Sequence, residues 1–173
     1  MTDLLDFECD ELYFDEPLRE DAKQLLDDAA EAYGDDEAEV FILRAYFLEP
    51  EHPMVLVALY RFFYYQHRLE DALTVADRVL TLFSARLNLP SDWRELDQRH
   101  VGNGVLVSMT MFRFYLWCLK GAGYLELRLG NYETAIARLQ KLVELDSSDR
   151  LGGQALLNVA TEALGIDLRA ASA

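Results

Sequence analysis

The sequence predicts an all-α protein of stacked helical hairpins, and three observations lead to that prediction. Two 34-residue stretches, 53–86 and 116–149, echo one another as helix, short turn, helix. Within them, residues 68–72 match residues 131–135 position for position, and a fixed period of this length is the signature of a helical repeat array. Hydrophobic residues make up 51% of the chain, which is enough for one domain with a substantial core.

The first third of the chain predicts an acidic segment followed by two helices. Residues 1–18 alternate acids with large hydrophobic residues, a pattern typical of segments that order only on docking. From Leu18, apolar residues recur at helical spacing until Gly34 breaks the pattern. A second helix is expected from about Glu37 to Leu48.

The middle of the chain predicts a hairpin and then an insertion. Pro53 suits a first helical turn, and helices are expected over 53–66 and 70–85. The insertion, residues 87–115, is expected to hold a short helix capped by Ser91 or Asp92 and ending near Arg99. Residues 100–104 contain two glycines and are predicted as a loop, after which a helix runs from Val105 to Leu129.

The last part of the chain predicts a hairpin partner and a capping helix. Gly130 and Asn131 form the turn into a helix over 132–145. Residues 146–149 are expected to stop that helix and to cap a final one, which ends near Leu164 with Gly165 as its stop. This final element, residues 150–165, is expected to cover the open end of the stack.

These residues resemble the tetratricopeptide repeat family. The stretch 116–149 carries the family pattern best, with a small residue at Gly123, a turn glycine at Gly130 and Ala135 opening the second helix. The resemblance implies three hairpins, 19–52, 53–86 and 116–149, in a single helical domain over 19–168. The middle hairpin departs from the pattern, because Tyr60 and His67 stand where a small residue and a turn glycine are typical.

The resemblance also implies a concave groove lined by the first helix of each hairpin, which holds a partner's peptide. The groove residues carried over from the second hairpin are Met54, Val57, Arg61, Tyr64 and Tyr65, and those from the third are Trp117, Lys120, Tyr124, Leu127 and Arg128. Those from the first hairpin are Glu20, Lys23, Asp27, Ala30 and Glu31.

A groove of this composition places cations among aromatic rings. Arginine beside tyrosine favours a peptide with a carboxylate and an apolar anchor, so an acidic or C-terminal carboxylate segment is the expected ligand. The alternative is that the aromatics belong to the core and that the cations extend past them to solvent. The acidic segment 1–18 either caps the repeat edge or occupies the groove itself.

Charge and cysteine content narrow the class of protein. Of the net charge of −15, residues 1–39 carry −14 (sixteen acids, two bases) and residues 40–173 carry −1 (fifteen acids, fourteen bases). This balance argues against nucleic acid as a partner. Arg61 and Arg113 interrupt the apolar stretches, so no membrane span is expected. Two cysteines in dissimilar contexts suit a reducing cytoplasm.

The sequence predicts a binding protein and no enzyme. It contains no phosphate loop, dinucleotide fingerprint or zinc pattern, so neither a cofactor nor a metal is expected. His52 and His67 would at most meet across a hairpin end. We expect an adaptor or a chaperone-like module. The alternatives are a homodimer that uses residues 62–65 as its interface, or an accessory factor in bacterial secretion or metalloenzyme maturation.

Overall fold

The chain is helical wherever the structure describes it. The computed structural model describes Phe14 and residues 16–171, and this part contains eight α-helices, one single-turn 3-10 helix and no strand, which confirms the all-α class. None of the described helices has the length and apolar content that crossing a membrane requires. The helices are α1 (Glu20–Glu31), α2 (Glu37–Leu48), α3 (Pro53–Tyr65), α4 (Leu69–Arg86), the 3-10 turn Trp93–Glu95, α5 (Gln98–Val107), α6 (Met109–Arg128), α7 (Tyr132–Leu145) and α8 (Gly153–Ala171).

The described residues form two compact units, and the division falls between Val75 and Ala76 within α4. The N-terminal unit holds Phe14 and residues 16–75, and the C-terminal unit holds residues 76–171. The sequence had predicted a single domain over 19–168. Most of the acidic segment 1–18 lies outside the described residues, so both roles considered for it stay predictions.

In the N-terminal unit, α2 packs against α1 on one side and α3 on the other. The close contacts are made by alanines, since Ala22, Ala38 and Ala45 are completely buried. Small side chains at these positions let the helix axes approach, while larger residues such as Leu56 fill the space between them. Helix α2 has the bounds that the sequence predicted.

The start of α3 is fixed by a buried histidine. The Nδ1 atom of His52 accepts a hydrogen bond from the backbone N–H of Met54, 3.2 Å away, and so caps the helix. The Nε2 atom lies 3.1 Å from the backbone oxygen of Glu16 and donates to it. These two bonds select the neutral Nε2–H tautomer and tie the chain before α1 to the first turn of α3.

The turns that follow α3 and α6 have the same geometry, 63 residues apart. After α3, His67 has φ of 58°, and the Arg68 N–H bonds back to the Phe63 carbonyl at 2.9 Å. After α6, Gly130 has φ of 81°, and the Asn131 N–H bonds back to the Glu126 carbonyl at the same distance. Both are Schellman caps. The two turns that the echo pairs therefore share one cap geometry, which also follows α4 at Asn88, where φ is 54°.

The insertion differs from its prediction. Residues 100–104, predicted as a loop, lie inside α5, and the following helix starts at Met109 instead of Val105. Asp97 caps α5, and hydrogen bonding from Arg99 lowers the pKa of the Asp97 carboxyl to about 2, which keeps the cap charged. Gly104 was interpreted as a turn signal, but it is a packing position: a Cβ there would lie 2.6 Å from a ring carbon of Phe112.

In the C-terminal unit, α7 packs between α6 and α8. Glycines permit both contacts, because a Cβ at Gly123 would lie 2.9 Å from Leu139 and one at Gly153 would lie 2.8 Å from Leu142. Helix α7 has the predicted bounds. Asp149 caps the start of α8 through the Gln154 N–H at 3.0 Å, but α8 continues through Gly165 to Ala171, so the predicted stop is wrong.

Candidate peptide-binding cleft

The N-terminal unit contains an open cleft of about 570 Å³ between α1 and α3, with α2 beneath it. On α1 and on α3 the lining residues follow three- and four-residue spacing, so each helix contributes a single stripe. The lining residues are Leu26, Ala29, Ala30, Tyr33, Ile42, Ala58, Arg61, Phe62 and Tyr65.

The cleft exists because the facing stripes carry small side chains. Ala29 and Ala30 on α1 face the same space as Ala58 on α3, and methyl groups do not fill it. Ile42 and Phe62 are buried and form its apolar floor. The result is a concave apolar surface of the size that binding sites usually have.

The polar chemistry of the cleft is concentrated at its mouth. Among the described residues that line it, Arg61 is the one with a charged side chain. Tyr33 and Tyr65 are 54% and 38% exposed, so their rings border the opening. Each tyrosine offers a flat apolar face and a hydroxyl, while Arg61 offers guanidinium donors to a carboxylate or carbonyl.

Aromatic side chains along α3 support one wall of the cleft. The ring of Tyr65 meets that of Tyr64 edge to face at 5.4 Å. Tyr64 in turn stacks on the buried Tyr60, with the rings nearly parallel and 6.5 Å apart. Tyr65 is therefore held by a series of rings that ends in the core, which limits the freedom it would lose on binding a ligand.

The residues predicted from the second hairpin divide into two groups. Arg61 and Tyr65 line the cleft, and Tyr64 supports Tyr65. Met54 is 47% exposed and Val57 is half-buried, but neither belongs to the cleft lining. Of the residues predicted from the first hairpin, Ala30 lines the cleft, and Glu20, Lys23, Asp27 and Glu31 are exposed on α1.

The residues predicted from the third hairpin have different surroundings. Lys120 is buried at 5% exposure, with its Nζ atom 5.0 Å from the centre of the Trp117 ring. Burial lowers the pKa of Lys120, and the charges of Asp149 and Asp146 oppose that shift. Lys120 is thus a core-facing residue of the C-terminal unit, contrary to the exposed groove cation that the resemblance implied.

Tyr124 and Arg128 are partners of one another. The Arg128 Nη1 atom donates to the Tyr124 hydroxyl at 3.0 Å, and the guanidinium carbon lies 5.8 Å from the centre of the tyrosine ring. Leu127, between them, is half-buried. This end of α6 therefore presents an arginine that is already oriented by its own helix.

The sequence-based predictions did not include a buried ionic network on α6 and α7. Arg138, which is 6% exposed, donates to Asp77 at 2.7 Å and lies 3.6 Å from the Glu126 carboxylate. Asn131 donates to the other oxygen of Glu126 at 2.7 Å. A detectable signal existed: Glu126 follows Leu119 and Ala122 at core-facing spacing, where a carboxylate requires a partner.

Two further predictions are corrected by the structure. His52 and His67 lie at opposite ends of α3, so they do not meet. Phe62 and Phe63, proposed as half of a dimer face, are each only 7% exposed and pack within the chain itself. Tyr33 was missed as a cleft residue because the groove positions carried over from the first hairpin end at Glu31, although Tyr33 continues the helical spacing of Ala29 and Ala30.

Comparison with known proteins places this chain beside a protein of Azotobacter. No family model matches the sequence, and no solved structure matches the chain. The chain is 48% identical over 160 residues to a protein of Azotobacter chroococcum mcd 1 described as "Uncharacterized 19.8 kDa protein in nifW 5'region", and the match covers 92% of this chain and 89% of the relative. This chain therefore belongs to the same family as that protein.

Proposed function

We propose that the protein is a non-enzymatic binding module, adaptor or chaperone-like, that holds a peptide segment of a partner in the cleft between α1 and α3. The observation that carries the proposal is the cleft itself, an apolar concavity bordered by Arg61 and two tyrosines. A volume of about 570 Å³ is enough for several large side chains. The apolar floor supplies affinity, and the arginine and tyrosines orient the ligand.

The position of the cleft supports a tetratricopeptide-like arrangement. In that family the first helices of neighbouring hairpins line the ligand groove, and α1 and α3 hold the corresponding places in hairpins 19–52 and 53–86. Three residues implied by the resemblance, Ala30, Arg61 and Tyr65, line one cleft. The described residues of the lining include one arginine and two tyrosines but no carboxylate, histidine, cysteine, serine or lysine, which favours binding over catalysis.

The description of the Azotobacter relative gives only its place in the 5′ region of nifW. Accessory roles in bacterial secretion and in metalloenzyme maturation stay the alternative settings for such a module. The homodimer alternative has weaker support, since Phe62 and Phe63 are already buried in the core.

A photo-crosslinking experiment tests the proposed function. A photoreactive amino acid replaces Tyr65 at the cleft mouth or, as a control outside the cleft, Phe47, which is 80% exposed on α2. Cells of the native host are then irradiated. We expect a discrete protein adduct from position 65 and not from position 47.

Filling the cleft provides the decisive comparison. Ala30→Trp places a large side chain in the cleft, whereas Ala155→Trp adds the same group to an exposed position on α8. The adduct should disappear with the first variant and remain with the second, with both proteins checked for native helix content. An adduct that survives Ala30→Trp would show that the partner does not use the cleft.

Charge reversal at two arginines separates the cleft from a wider groove. Arg61→Glu reverses the charge in the cleft, and Arg128→Glu reverses it at the groove position of the third hairpin that corresponds to Tyr65. If the cleft alone holds the partner, only Arg61→Glu weakens the adduct, by about tenfold or more. Equal losses from both variants would instead support the continuous groove that the sequence predicted.

A further inference from the structure

We infer that the ligand segment carries a basic side chain next to its apolar anchor, and that this cation binds at the Tyr33 and Tyr65 end of the cleft. The inference rests on the proposed function and specifies the chemistry of the partner. It differs from the sequence-based expectation of an acidic ligand, because the surroundings of the cleft were not visible in the sequence.

The direction of α1 and α3, the two helices that form the cleft, favours a cation at this end. The lining residues from Ala29 to Tyr33 lie at the C-terminal end of α1, and Phe62 and Tyr65 lie at that of α3. The C-terminal end of a helix carries partial negative charge and favours a cation. Neither helix has a basic residue in its last turn to meet that charge.

The charged groups around the Tyr33 and Tyr65 end of the cleft also favour a cation. Glu31, Asp35 and Asp36 are exposed and immediately flank Tyr33 in the chain. The nearest cation after α3 is Arg68, which already bonds to Glu39 at 2.6 Å and to Asp71. Lys23 lies on the turn of α1 that precedes the cleft lining. The mouth is therefore electronegative at one end, with Arg61 about one helical turn away.

The two tyrosines at this end offer aromatic rings to a cation. Tyr33 and Tyr65 border the same opening, and both rings are exposed. A lysine or arginine side chain placed against such rings gains a cation–π interaction while its methylene groups contact the apolar cleft. Arg61 would then bond to a carbonyl or carboxylate of the ligand one turn further on, so a single orientation satisfies both charges.

Two synthetic peptides test this inference directly. Both have the length of α3 and the same apolar core of leucine and alanine, and they differ in having lysine or glutamate next to that core. Fluorescence anisotropy at low ionic strength should show the lysine peptide binding about tenfold more tightly. The preference should shrink as salt is added, because the flanking acids are exposed.

Matched variants locate the effect. Asp35→Lys with Asp36→Lys should remove most of the preference for the lysine peptide. Glu20→Lys with Glu70→Lys changes the net charge equally at exposed sites away from the mouth and should leave the preference intact. Tyr33→Leu should weaken lysine-peptide binding several-fold, and Tyr33→Phe should restore it, because the ring is retained.

The outcomes distinguish the inference from the function on which it rests. Tighter binding of the glutamate peptide, reversed by Arg61→Glu, would overturn the inference and leave the cleft as a peptide site. An equal effect of the two double variants would also overturn it, by showing only a response to net charge. If neither peptide binds, or if binding is insensitive to Ala30→Trp, both proposals fail.

Discussion

Helices α3 and α6 each carry an arginine and a tyrosine four positions apart, but in opposite order and in different surroundings. On α3, Arg61 and Tyr65 border an open cleft. On α6, Arg128 bonds to the hydroxyl of Tyr124 at the equivalent positions. The same two residue types therefore line a cleft on one helix and bond to each other on the other.

The two helices also differ in how closely they are packed. The stripe of α1 that faces the cleft carries Ala29 and Ala30, which are too short to fill the space beside α3. On α6, Gly123 stands where α3 has Tyr60, and Leu139 of α7 packs on Gly123 so closely that a Cβ there would clash.

The largest expected effect concerns the stability of the α6 surroundings. Arg138→Leu would leave the Glu126 carboxylate buried without its cation, and we expect a loss of about 3–5 kcal/mol in the free energy of unfolding. Urea denaturation followed by circular dichroism measures this loss. Adding Glu126→Gln should recover part of it, since the amide oxygen still accepts from Asn131.

The control for this prediction is an arginine with an exposed partner. Arg99 pairs with Asp97, but its side chain is 87% exposed and its charge is screened by water, so Arg99→Leu should change stability far less than Arg138→Leu does. Equal losses from Arg138→Leu and Arg99→Leu would contradict the view that α6 is held by a buried network.

We expect the buried ammonium group of Lys120 to destabilise the protein by an amount that depends on pH. Burial lowers its pKa from the ordinary value of 10.5, so the unfolded chain binds more protons than the folded one between the lowered value and 10.5. The contribution of Lys120 to stability therefore rises with pH across that window. Lys120→Met should stabilise the protein by about 1 kcal/mol at pH 7, and this gain should shrink as the pH approaches 10.5.

Lys141 offers the contrasting lysine. Its Nζ atom donates to the Leu96 carbonyl and to Glu144, both at 2.7 Å, so Lys141→Met should destabilise the protein. Thermal or urea unfolding at several pH values compares the two variants. A loss of stability from Lys120→Met at pH 7 would show that the ammonium is needed for its attraction to Asp146 and Asp149.

Local pattern was enough to predict most of the helices. The bounds of α2 and α7 follow from apolar spacing and from the breaks beside them, and the echo correctly located the turns at His67 and Gly130. The error at 100–104 has a physical cause. Glycine marks a turn or a close contact equally well, and only the neighbouring side chain, such as Phe112 beside Gly104, decides between them.

The candidate site was only partly predictable for a related reason. The repeat frame indicates which face of a helix a residue occupies, and three of the residues that it assigned to a groove, Ala30, Arg61 and Tyr65, line one cleft. It does not indicate how well the opposite element fills the space. Lys120 and Val57 occupy the same place in the frame, yet the burial of Lys120 beside Trp117 depends on the loop after α7, which has no counterpart in the motif.

The smallest expected effect compares the two equivalent turns themselves. His67 adopts φ of 58°, a conformation that costs free energy for a residue with a Cβ, so His67→Gly should raise stability by about 0.5 kcal/mol. Gly130→Ala should lower it by about 1 kcal/mol. No atom lies within 4 Å of a Cβ built at Gly130, so this loss would come from the backbone alone. If the two turns share one geometry, thermal unfolding must show changes in stability of opposite sign for the two variants. A loss of stability from His67→Gly would mean that the histidine side chain stabilises the protein by more than its backbone strain costs.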